Sequence, residues 1–438
     1  MAQITEREGA PAAWPGRSVS RRAMLRAGGA VTLAATAPAA LLLNAPPAAA
    51  DTAVRGLVLP PATTGIERFR VHVPEQALRD LKARLARTRW PDRGTTDGWE
   101  QGVPLARARA VAGYWAEGYD WRRFERRINA LNQYRTLVDG LGVHFLHVRS
   151  PHPGALPVIL THGWPGSFIE FLGTIGPLTD PTRHGGSAAD AFHLVIPSLP
   201  GFGFSDRPTV TGWGVDRIAA AWDALMTRLG YSRYVAQGGD WGSGVTHALA
   251  KLAPPALAGI HTNFPTFLFD PPVSAVPTPP ETAALAQINA FLTHGAGYLK
   301  EMTTRPQTIG YELADSPSGL AAWIYEKFAT WTDSDDAPEF GIDAALDDIT
   351  LYWLTNTATS SARIYWEDPV TVRPSLSLPV GVSVFPKEII RAPRIWAERC
   401  YSNLIHFNDQ IPHGGHFAAW EVPGLFVNEV RDTFRPLR

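Results

Sequence analysis

Seven short apolar runs, each closed by turn residues, set the strongest limit on how this chain can fold. They are Val143 to Val148, Pro157 to Thr161, Phe192 to Pro197, Tyr234 to Gln237, Leu257 to Thr262, Val380 to Phe385 and Leu404 to Phe407. Several are apolar at consecutive positions rather than at alternate ones, the mark of strands buried on both faces. Helical stretches such as Val215 to Leu229 lie between them. Together they predict an α/β fold, a mostly parallel sheet with helices on both faces.

The series breaks once, between about Asn263 and Ser377, where helical patterns and aromatics replace strands. This break places an inserted helical lid at 266–375 and divides the core into 151–265 and 376–438. The stretch Phe269-Asp270-Pro271-Pro272 through Pro279-Pro280 reads as a stiff connector into the lid. Residues 51–150 read as an N-terminal wrapping arm. It starts with a strand-like stretch from Phe69 and a helix from Glu75 to Arg89, with Leu78, Leu81 and Leu85 at helical spacing. A second helical stretch follows through Trp115, Tyr119 and Trp121.

The first fifty residues differ from the rest: five arginines, two glutamates and an Ala/Pro-rich run ending at Ala48-Ala49-Ala50. Ser20-Arg21-Arg22-Ala23-Met24-Leu25 is similar to the twin-arginine export motif, and an apolar run from Ala27 to Leu43 follows it. Residues 1–50 therefore read as an export signal, with secretion or delivery to a periplasm from a bacterial cytoplasm. Pro38 and the small-residue content argue against a stable membrane span, which needs ~20 apolar residues. The lone Cys400 excludes an intramolecular disulfide and, with no base beside it in sequence, reads as structural. A formal net charge of -1 offers no basic field for nucleic acid.

The chemistry centres on Gly238-Gly239-Asp240-Trp241-Gly242-Ser243-Gly244, between the run Tyr234 to Gln237 and a helical stretch Val245 to Leu252. Small residues two before and two after a polar one, on a strand-turn-helix, form a nucleophile elbow. That is the signature of the α/β-hydrolase fold. Asp240 holds the nucleophile position, although an aspartate there could equally cap the helix. Thr161-His162-Gly163-Trp164-Pro165-Gly166-Ser167 follows a buried strand. Its loop supplies the Trp164 backbone N–H, which with that of Trp241 makes an oxyanion hole. His162 reads as a shaper of that loop.

A base arrives late, in Pro412-His413-Gly414-Gly415-His416-Phe417. His416, after the paired glycines, is favoured over His413. Glu388, just past the run ending at Phe385, is the acid that orients it, with Asp409 as the competitor. A carboxylate nucleophile suits attack on a strained sp³ carbon. The ester formed on Asp240 can be cleaved at its carboxyl carbon by water that His416 activates, whereas a serine would leave an inert ether. This scheme uses no metal and no cofactor. Opening an epoxide leaves an alkoxide that needs a hydrogen-bond donor opposite the nucleophile, and Tyr298 and Tyr365 are the lid tyrosines selected for it.

With these residues assembled, the chain resembles the microsomal-type epoxide hydrolases, a family that includes the juvenile hormone epoxide hydrolases. The resemblance runs from about Phe69 to the C-terminus. It rests on Arg70 to Pro74, Thr88-Arg89-Trp90-Pro91-Asp92, His162 to Ser167, Pro200-Gly201-Phe202-Gly203-Phe204-Ser205, Gly238 to Ser243, Leu320 to Thr332, Tyr352-Trp353-Leu354-Thr355 and Gly414 to Glu421. It implies Asp240 as nucleophile, His416 as base, Glu388 as its partner, and Tyr298 and Tyr365 as donors to the epoxide oxygen. It also implies that the arm wraps the core and buttresses the lid. The chain departs from the family at its N-terminus, where mammalian members carry a membrane anchor, and around Leu131-Asn132-Gln133-Tyr134. The expected partners are a small apolar epoxide and water. Two rivals remain: a haloalkane dehalogenase, which also uses an elbow aspartate but needs halide donors, and a secreted binding protein of the same fold.

Overall fold

The computed structural model describes residues 57–334, 338, 340–368 and 375–438. The export-like segment 1–50 lies outside the described residues. Among the described residues one nine-stranded sheet is formed by β1 (Glu67–Arg68), β2 (Gln133–Val138), β3 (Leu141–Val148), β4 (Leu156–Thr161), β5 (Phe192–Pro197), β6 (Tyr234–Gly238), β7 (Leu257–Thr262), β8 (Val380–Ser383) and β9 (Leu404–Asn408). Their spatial order is β1-β2-β3-β5-β4-β6-β7-β8-β9. From β5 to β9 all neighbours are parallel, while β1, β2 and β3 join antiparallel. This is the α/β-hydrolase fold. Every residue of β5 and β6 is buried, as continuous apolar runs require of strands covered on both faces.

The N-terminal part departs most from the sequence expectations. Residues 133–138, assigned there to the arm, belong to the sheet, next to the expected strand Val143 to Val148, which runs from Leu141. β2 is missing from the apolar series because it carries buried polar side chains: Gln133 donates to the Ile128 carbonyl, and Arg135 pairs with Asp206. It turns into β3 through Asp139 and Gly140, both at positive φ (49° and 76°), the two-residue turn that matches strand twist. The strand-like stretch from Phe69 leaves the sheet after one more bond, from the Phe69 N–H to the Gln133 carbonyl at 2.9 Å. Instead, Asn129 exchanges two bonds with Val71 (2.8 and 2.7 Å), and Glu125 accepts the Val73 N–H at 2.7 Å. The first helix spans Glu75–Ala86, shorter than expected. The second stretch is two helices, Leu105–Glu117 and Trp121–Asn129, the latter capped by the Asp120 side chain.

The break in the strand series holds helices Pro279–Ala290, Gly297–Thr304, Pro306–Asp315, Pro317–Thr330, Ile342–Thr355 and Ala358–Glu367. Polar bonds fasten the arm to them. Trp115 Nε1 donates to Thr350 Oγ1 at 2.8 Å, and Tyr119 and Arg123 both reach Asp347 Oδ1. No described helix is long and apolar enough to cross a membrane.

Candidate active site

β6 ends at Gly238 and a helix begins at Trp241, leaving Gly239 and Asp240 to make the turn. Asp240 sits at φ 49°, ψ −128°, a conformation that side-chain-bearing residues rarely adopt. The turn is this tight because the glycines allow it. A Cβ at Gly242 would lie 2.6 Å from the Thr161 carbonyl carbon, and one at Gly239 2.7 Å from Asn263 Oδ1. Asp240 occupies the helix N-cap but makes no capping bond; its Oδ1 instead accepts the Trp164 backbone N–H at 2.8 Å. The Trp241 N–H opens the helix and so has no intrahelical acceptor.

The loop after β4 brings Trp164 to this position. His162, fully buried, spans it: Nε2 accepts the Leu199 N–H at 3.1 Å, and Nδ1 faces the Gly163 carbonyl at 3.0 Å. Burial first of all lowers its pKa to about 4, so the ring stays neutral and fixes the loop.

His416 arrives from the loop after β9. Its Nδ1 lies 2.7 Å from Glu388 Oε1. Its Nε2 is 3.3 Å from Asp240 Oδ2, without the alignment of a hydrogen bond. Burial opposes a charged ring, yet the Glu388 and Asp240 carboxylates outweigh it and hold the His416 pKa well above its usual value. Glu388 follows the end of β8 and is itself buried, with Oε1 also accepting the Ile389 N–H at 2.8 Å. Asp409 points elsewhere, accepting from Gln410 Nε2, and His413 is 73% exposed.

Opposite Asp240, the helices Gly297–Thr304 and Ala358–Glu367 carry Tyr298 and Tyr365, both buried. Burial, with the Asp240 charge as a further cause, raises both phenol pKa values well above normal, so the hydroxyls keep their protons. Among the described residues the Tyr365 hydroxyl makes no hydrogen bond of normal geometry. Tyr298 stacks on the Trp164 indole (centroids 5.0 Å apart, planes 9° apart), and Tyr365 stands edge-on to Trp241 at 4.8 Å. Lys327 Nζ lies over the Tyr298 ring at 4.6 Å. A cavity of about 600 Å³ separates the tyrosines from Asp240, walled by apolar groups that include Phe264, Phe291, Leu292 and Ile389. Among the described residues no group of three or more His, Cys, Asp or Glu is placed to hold a metal ion.

Two acids at this site escape the sequence reading. Glu421 accepts the backbone N–H groups of Asp333, Gly415 and Phe417, on either side of His416. Glu170 lies under Asp240 and His416, beside the buried Asp348. Its only sequence signal is a charge inside the apolar run Phe168-Ile169-Glu170-Phe171.

The elbow aspartate, the buried His–Glu pair and two phenols across an apolar cavity occur in a chain with clear relatives. A Stigmatella aurantiaca (strain DW4/3-1) protein named as a candidate epoxide hydrolase is 59% identical over 378 residues, covering 85% of this chain and 86% of its own. Epoxide hydrolase 1 of Sus scrofa is 33% identical over 399 residues, covering 84% and 88%. The chain belongs to the epoxide hydrolase family.

A family profile described as epoxide hydrolase N terminus matches residues 66–171 of this epoxide hydrolase, and one described as alpha/beta hydrolase fold matches 157–303. The solved Aspergillus niger epoxide hydrolase superposes with a TM-score of 0.77 at 32% identity, covering 86% of this chain and 98% of its own. The Bombyx mori juvenile hormone epoxide hydrolase gives 0.73 at 30%, covering 86% and 94%. The chain is thus an enzyme of this family, and the first profile spans the arm together with β2, β3 and the Trp164 loop.

Proposed function

We propose that this epoxide hydrolase works through a covalent ester on Asp240. The observation that carries the reading is the orientation of that carboxylate: tied by Oδ1 to the Trp164 N–H, with His416 beside Oδ2 and a cavity leading to two protonated tyrosines. An Asp240 oxygen attacks an epoxide carbon, the ring C–O bond breaks, and Tyr298 or Tyr365 gives its proton to the departing oxygen. Water then loses a proton to His416 and adds to the Asp240 carboxyl carbon. The Trp164 and Trp241 N–H groups hold the oxyanion that forms. Collapse breaks the ester bond, the leaving alkoxide takes the remaining hydroxyl proton of the adduct and departs as the vicinal diol, and the proton held by His416 returns to the tyrosinate. Glu388 keeps the imidazole oriented and supports its charge. The apolar walls and volume of the cavity suit a small apolar epoxide.

Intact-mass analysis of the His416→Gln variant after exposure to styrene oxide tests this scheme. A stable adduct of one epoxide mapping to Asp240 is expected; no adduct on any carboxylate sinks it. Halide release from a bromoalkane without diol release from styrene oxide would favour dehalogenation instead.

We further propose that residues 1–50 direct export by a twin-arginine route, on the strength of Arg21-Arg22 followed by an apolar run. Fractionation of bacterial cells expressing the full chain and its R21K/R22K variant tests this. Equal export of the two would overturn it.

A further inference from the structure

Beside Asp240, the one residue it shares with the lining of the epoxide cavity, is a small void of about 20 Å³. One water needs at least about 10–15 Å³ of such space and two or more polar partners. Glu170, Asp240, Asn263 and His416 line the void. Among the described residues His416 Nε2 is buried and makes no hydrogen bond, and Asn263 Oδ1 is already occupied by Gln237 Nε2 at 3.0 Å. Glu170 is held over Gly166: a Cβ there would lie 2.6 Å from the Glu170 carboxyl carbon, so glycine is required for the acid to reach this place. Its carboxyl group accepts the Gly163 N–H, one residue before the Trp164 donor to Asp240.

We propose that this void is the seat of the hydrolytic water and that Glu170 is a further catalytic residue that holds it for attack on the Asp240 ester. The inference rests on the covalent reading above. The water gives one hydrogen bond to His416 Nε2 and the other to Glu170, which turns a lone pair toward the Asp240 carboxyl carbon. A carboxyl group keeps an accepting oxygen in either protonation state, so the role survives the upward pKa shift that burial and neighbouring Asp348 impose on Glu170. The reaction is otherwise unchanged: the water oxygen bonds to Asp240 Cγ, its proton goes to His416, and the ester C–O bond breaks.

The two half-reactions separate this role from a structural one. Under single turnover with styrene oxide, Glu170→Ala should form the ester at the wild-type rate and hydrolyse it roughly tenfold or more slowly, so adduct accumulates. Glu170→Gln keeps the shape but has one accepting oxygen to serve both the Gly163 N–H and the water, so it should show the same split with a smaller loss. Hydrolysis by Glu170→Gln at the wild-type rate overturns the proposal, as does a parallel fall in both half-reactions. If His416→Gln traps an adduct while Glu170→Gln hydrolyses normally, only the role of Glu170 fails. If neither variant gives an adduct, the covalent scheme itself fails.

Discussion

The carbonyl of Trp331, just past the helix Pro317–Thr330, accepts the backbone N–H of His416 at 2.9 Å. The insertion thereby bonds directly to the residue proposed as the base. Glu421 completes the clasp by taking the N–H groups of Asp333, Gly415 and Phe417, and Asp333 Oδ2 accepts the Gly414 N–H at 3.0 Å.

Removing the Glu421 carboxylate leaves three backbone donors without their acceptor. Glu421→Ala is expected to lose about 3 kcal/mol of stability or more, since each of the three donors, once unsatisfied, costs about 1–3 kcal/mol. It should also slow ester hydrolysis, because the loop that carries His416 loosens. Urea unfolding and single-turnover kinetics on the same preparation check both; an unchanged midpoint would show that the clasp is idle.

In the proposed scheme the tyrosines act in the other half-reaction. Tyr298→Phe and Tyr365→Phe should each slow ester formation by roughly a hundredfold, the usual cost of losing one donor at a developing oxyanion. Breakdown of the ester, once formed, should be unaffected. Rapid-quench measurement of both steps decides; a loss confined to hydrolysis would remove the tyrosines from ring opening.

Gly163→Ala tests the fit between the loop and the nucleophile. The new Cβ would fall 2.7 Å from Asp240 Cγ, so the carboxylate or the loop must shift. Displacements of this size can cost about a hundredfold in rate. The variant should fold, as judged by circular dichroism, and lose activity to that extent. Near-normal kcat would mean that the Trp164 contact is dispensable.

How much of this was legible in the sequence follows from local signals. Asp240 could be found because its turn demands glycines at fixed offsets between a strand and a helix, and His416 because glycines precede it. Glu388 followed from its place after an apolar run. Tyr298 and Tyr365 lie among other lid aromatics; their place in the lid named them only weakly, and the resemblance strengthened the choice. Glu170 and Glu421 were hidden because their partners are backbone groups brought close only by folding. β2 was hidden because its inward positions are polar, satisfied by Asp206 and the Ile128 carbonyl.

Buried neutral histidines make stability depend on pH. His144, packed among Phe69, Phe168 and Phe204, has its pKa lowered to about 3, chiefly by burial. Between there and its ordinary value of 6.5 the unfolded chain binds a proton that the folded one does not. His144 therefore supports the fold above pH ~6.5 and loses that support as pH falls, by about 1.4 kcal/mol per unit. Glu421 and Asp347, raised to about 7 and about 6 by burial, act in the opposite sense, so the wild-type curve mixes both. The readout is the stability gap between wild type and His144→Asn, which should shrink by about 2 kcal/mol from pH 7 to pH 5. A constant gap would place the His144 pKa near its ordinary value.

The face-to-face stack of Tyr298 on Trp164 has an engineering consequence. In the proposed scheme, the side chain that meets the epoxide oxygen also roofs the residue whose N–H steadies the nucleophile. A lid transplanted from a relative to change substrate range would have to bring a matching partner for that indole. Without one, a swap meant to alter selectivity would unsettle Asp240 as well, so lid and loop are best exchanged as a single cassette.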